Sequence, residues 1–67
     1  MHRTGKIVAI NPFLNKGKII DEHDQDILFD LLLAPEDLST GLKVYFEIKM
    51  TALGLRAVDI KTVHQGK

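Results

Sequence analysis

Cysteine is absent from the 67 residues, so neither a disulfide nor a thiolate-bound metal reinforces the fold. Long apolar runs are missing as well. The longest, Ile27 to Ala34, is interrupted by Asp30 and is far too short to cross a bilayer. Met1-His2-Arg3-Thr4-Gly5 lacks the apolar block of a secretory signal, so a cytoplasmic protein with no membrane partner is expected. Nine Lys and Arg balance nine Asp and Glu, and net charge alone therefore selects no class of partner. What is present is an ordinary apolar share of 45%, which argues against disorder. A domain of this length hides only about 60% of the surface its unfolded chain exposes, so its core is thin. One domain over residues 1–67, with an ordered core of about 4–63, is the expectation.

The charges are unevenly placed. Arg3, Lys6, Lys16 and Lys18 occur in the first 18 residues without a single acid. Asp21, Glu22, Asp24, Asp26, Asp30, Glu36 and Asp37 follow without a Lys or Arg among them. A polyanion would meet attraction in one region and repulsion in another, although a solvated surface with acidic loops gives the same pattern.

Short strand-like runs alternate with turn signals. Lys6-Ile7-Val8-Ala9-Ile10 is β-branched and ends at the turn-forming pair Asn11-Pro12. Lys16 to Ile20 forms a second run around Gly17, a residue that in strands often marks a bend or close backbone approach. The polar stretch Asp21 to Gln25 reads as a hairpin loop. Asp26 to Leu31 is a third run, with Ile27 and Phe29 on one face and Leu28 and Asp30 on the other. Pro35 makes Leu32 to Leu38 a short helical turn or an irregular loop. Strict alternation then sets Lys43, Tyr45, Glu47 and Lys49 against Val44, Phe46 and Ile48, the pattern of a half-buried strand. Gly54 opens a last run, Leu55 to Val63. Ala57 and Ile60 differ in parity there, so a bulge is plausible if both face the core. Five short strands in so small a domain predict an all-β antiparallel barrel, because closure removes unpaired edges.

These residues resemble a known family. Gly5-Lys6-Ile7-Val8-Ala9-Ile10-Asn11 is similar to the first strand of cold-shock domains. Leu14-Asn15-Lys16-Gly17-Lys18-Ile19 falls on the family's Lys-Gly-Phe-Gly-Phe-Ile motif. Asp26-Ile27-Leu28-Phe29-Asp30-Leu31 falls on its Asp-Val-Phe-Val-His-Phe motif. Gly41 to Ile48 resembles the fourth strand, and Gly54 with Ala57 and Ile60 the fifth. The resemblance implies a Greek-key barrel of the oligonucleotide/oligosaccharide-binding type. It also implies weak, sequence-tolerant binding of single-stranded RNA or DNA on the outer face of strands one to three. That face would carry Lys16, Lys18, Ile10, Leu28 and Asp30, with Phe13 at the first turn. The outward aromatics on which the family stacks bases are replaced. Each is worth about 1–3 kcal/mol per base, so high affinity is not expected.

Each site has a plainer alternative. Lys16 and Lys18 are either phosphate contacts or solvated lysines that discourage edge aggregation. Phe13 either stacks a base or closes the barrel end as core. Tyr45 lies off the expected platform and reads as a cross-strand packing residue. An alternative use of the same face is a protein interface or homodimer through Val8, Ile10, Leu28 and Leu31, extended by Leu32 and Leu33. His2, His23 and His64 share no ligand spacing, and the acidic run Asp21–Asp26 lacks the glycine and terminal glutamate of a calcium loop. Ser39 has no base beside it in any readable arrangement. No enzyme, cofactor or metal is expected.

Overall fold

The computed structural model describes residues 3–63; His2 and His64 lie outside them. Five strands follow one another: β1 (Arg3–Asn11), β2 (Lys16–Asp21), β3 (Asp26–Asp30), β4 (Lys43–Thr51) and β5 (Gly54–Thr62). They form one antiparallel sheet in the order β3-β2-β1-β4-β5. Long β1 makes this possible. Its stretch from Gly5 to Asn11 pairs with β2, while Arg3 to Lys6 pairs with β4. The sheet curls until β3 lies against β5. These two end strands share no hydrogen-bonded pairing, so the sheet is not closed. No helix among the described residues is long and apolar enough to cross a membrane.

The core is what the alternation predicts. Ile7, Ile19, Ile27, Phe29, Val44, Phe46, Ala57 and Ile60 are buried in one cluster. Burying each of the larger side chains is worth about 1.5–3 kcal/mol. From the segment between β3 and β4, Ala34, Leu38 and Leu42 pack against the same cluster. Two backbone bonds tie that segment to β1, from Ile7 N–H to Leu42 O (2.9 Å) and from Gly41 N–H to Ile7 O (2.7 Å).

Two bulges adjust which residues face inward. In β5, Tyr45 faces Lys61 but Glu47 faces Val58, so Asp59 and Ile60 together oppose Phe46. Asp59 takes up the extra residue with φ 53°. This is the expected irregularity, and it turns both Ala57 and Ile60 into the core. In β1, Ile7 pairs with Ile19 but Ala9 with Lys18, leaving Val8 as the additional residue. Simple alternation misses this one. It shifts the parity of the rest of the strand, so Ile10, expected on the outside, packs partly buried against the core.

The third strand ends one residue earlier than its apolar run. Leu31–Leu33 forms a 3-10 turn capped by Asp30, whose side chain accepts from the Leu32 N–H. Leu31 thereby turns onto the core as a partly buried packing residue.

Candidate nucleic-acid interface

On β2, Gly17 and Ile19 are buried while Lys16, Lys18 and Ile20 alternate with them on the outside. Register places Lys18 between Ala9 of β1 and Leu28 of β3, and Lys16 between Asn11 and Asp30. The two lysines therefore share one outer wall with Leu28, as the sequence predicts. Gly17 is what lets that wall sit so close to the core. A Cβ there would meet the Phe29 ring at 2.2 Å, so only glycine admits the ring beneath the lysine pair.

Two acids lie on the same wall. Lys18 Nζ is 3.8 Å from Asp26 Oδ2, with both side chains substantially exposed. Such a pair is worth about 0–1 kcal/mol and yields readily to a phosphate. Asp30 has a structural task that sequence reasoning missed. Its Oδ1 accepts from Asn15 Nδ2 (2.8 Å) and from the Leu32 N–H (3.0 Å), which joins the β1–β2 turn to the end of β3. The residue proposed at a binding position is thus first a cap.

The turn that carries Phe13 joins β1 to β2 at the Lys16 end of this wall. The turn after β1 is held by the Leu14 N–H on Asn11 Oδ1 (3.2 Å) and by the Asn15 N–H on Pro12 O (3.2 Å). Asn15 completes it with φ 58°, a conformation asparagine tolerates. The Phe13 ring projects from the turn and is 99% exposed. It does not close the barrel end.

The aliphatic set expected as a protein interface is split. Val8 is exposed and Leu28 half-buried, whereas Ile10 and Leu31 pack against the core. Tyr45 projects outward between Thr4 and Lys61, off this wall. Lys6 and Lys43 face each other across β1 and β4, and alternation alone could not reveal that neighbourhood.

A cleft of about 340 Å³ opens between the β1–β2 turn, the end of β3 and the β4–β5 hairpin. Leu14, Lys16, Leu33, Leu53 and Arg56 are among its lining residues. Sequence reasoning did not bring these together, because no spacing signal links residues 14, 33 and 56. They meet only because β3 approaches β5.

The loop between β2 and β3 is organised by Asp21. Its buried carboxylate accepts from the Gln25 N–H (2.9 Å) and the His23 N–H (2.8 Å). These bonds, Gln25's foremost, hold its pKa below the ordinary aspartate value of 3.8 despite burial. Among the described residues no three histidine or acidic side chains converge as metal ligands. No protein-family model and no curated protein matches this chain.

Proposed function

We propose that the protein is a cytoplasmic, non-enzymatic binding module of the cold-shock type, which holds single-stranded RNA or DNA weakly and without strong sequence preference. In this reading Lys16 and Lys18 contact phosphates, Phe13 stacks on one base, and Leu28 supplies apolar contact between them. The observation that carries it is the fully exposed Phe13 ring on the turn at the Lys16 end of the wall that bears both lysines. A ring left in water by an ordered turn is free to stack on a base. The antiparallel strand order, with β1 shared between β2 and β4, supports a barrel of the oligonucleotide/oligosaccharide-binding type.

One stacked ring contributes about 1–3 kcal/mol, and two neutralised phosphates give a log–log salt slope of about 1.4. Anisotropy titrations of labelled oligonucleotides at low salt, read beside amide shift maps, test this. Shifts centred on residues 13–18 and 28 are expected. Phe13→Ala weakens binding about 5- to 150-fold, the equivalent of that stacking energy, and Lys16→Ala with Lys18→Ala abolishes the salt slope. Binding that leaves these residues unperturbed, or no binding at low salt, refutes the proposal.

A further inference from the structure

The inner face of the sheet does not stop where the core stops. On β4 and β5, Ile48 faces Ala57 against the core, and the next inward pair is Met50 opposite Leu55. Both are exposed, as is Leu53 at the hairpin tip. Across the cleft stand Leu14 and Leu33, also exposed. Leu14, Leu33 and Leu53 thus give the cleft an uncovered aliphatic lining, and Met50 and Leu55 lie exposed on the same hairpin beside it.

The rim of this lining is basic. Lys16 and Arg56 line the cleft, and Lys49 lies directly opposite Arg56 across the hairpin. Like charges so placed repel, and neither Lys49 nor Arg56 is ion-paired among the described residues. The one carboxylate in the lining, Asp30, already accepts two hydrogen bonds at Oδ1. An occupant of matching chemistry offers leucine followed by carboxylates.

The chain itself contains that occupant. Leu32-Leu33-Ala34-Pro35-Glu36-Asp37 carries no Lys or Arg, and Leu32 is 81% exposed with Glu36 and Asp37 also in solvent. Leu33 forms part of the cleft's lip, so the acidic segment leaves from its basic edge. A two-fold axis at that edge lays each copy's segment on the other's cleft. We propose that this cleft is the contact between two copies of the chain. Leu32 of each copy packs on Leu14 and Leu53 of the other, and Glu36 and Asp37 meet Lys49 and Arg56.

Sedimentation equilibrium of the full chain at rising concentration tests this, with a monomer–dimer equilibrium in the range of about 1 µM to 1 mM expected for a small, partly polar contact. Lys49→Glu with Arg56→Glu should be monomeric, and so should Glu36→Lys with Asp37→Lys, because each sets like charges together. Mixing the two restores both halves of the contact and should return a 1:1 heterodimer. Leu53→Ser, at an exposed hairpin tip, weakens association at least tenfold with the circular dichroism spectrum unchanged. A wild type that stays monomeric throughout, charge variants that dimerise normally, or a mixture that does not associate overturns the proposal. So does a monomer that instead takes an added Leu-Leu-Ala-Pro-Glu-Asp peptide without self-association. Because Lys16 lines the same cleft, oligonucleotide binding is read on Leu53→Ser, which keeps Phe13 and every charge, so a loss of self-association there reports apart from the nucleic-acid interface.

Discussion

Replacing Gly17 by alanine should damage the fold beneath the proposed interface. The added methyl would lie 2.2 Å from Phe29 Cζ, 2.5 Å from Cε1 and 2.8 Å from Cε2. Carbon atoms meet comfortably at about 3.5–4.0 Å, so the ring or the strand must give way by more than 1 Å, roughly. Phe29 is only 1% exposed and packed within the core, so the ring can yield only toward the cleft it lines. Overpacking of this kind costs about 1–3 kcal/mol, while losing glycine's backbone freedom in a strand returns about 0.5–1 kcal/mol. The midpoints of these ranges leave a net loss of about 1 kcal/mol, which corresponds to a Tm lower by about 4–8 °C in a domain of this size. Thermal unfolding followed by circular dichroism reads this directly. Phe29→Leu should relieve the clash, so the double variant is less destabilised than the sum of the singles by about 0.5 kcal/mol or more. If Gly17→Ala unfolds at the wild-type temperature, the ring does not lie under the lysine pair, and the geometry of the wall is wrong.

Asp30→Ala removes the cap on Leu32 and the bond to Asn15, and should cost about 1 kcal/mol in urea unfolding, whereas Asp30→Asn retains an acceptor and costs less. Equal losses for the two would show that the cap contributes nothing. At the β5 bulge, Asp59→Gly should leave Tm unchanged or raise it, while Asp59→Val should lose about 1–2 kcal/mol, since φ 53° disfavours a branched side chain. Asp21 predicts an acid limb in the stability curve. Its pKa is lower folded than unfolded, so its stabilisation is complete above the ordinary value of 3.8 and disappears as the pH falls through the folded value. Tm measured from pH 6 to pH 2 should therefore fall less steeply for Asp21→Ala than for wild type, and parallel curves would contradict the assignment.

The strands, the inward residues Ile7, Ile19, Phe29, Val44 and Phe46, and the bulge near Ile60 are all legible from period-two patterning, because a half-buried strand writes its two faces into successive residues. The placement of Lys16, Lys18 and Leu28 on one wall follows from the same rule. Ile10 escaped it, since the bulge at Val8 has no composition of its own and shows only as a change of partners on β2. The cap at Asp30 depended on Asn15 arriving from another turn, fifteen residues away. Nor does any local pattern gather Leu14, Leu33 and Arg56. Local backbone geometry determines which way a side chain points, and neighbouring residues are enough to reveal it. Which distant side chains then share a cleft depends on how the sheet curls, and only the folded chain brings β3 to β5.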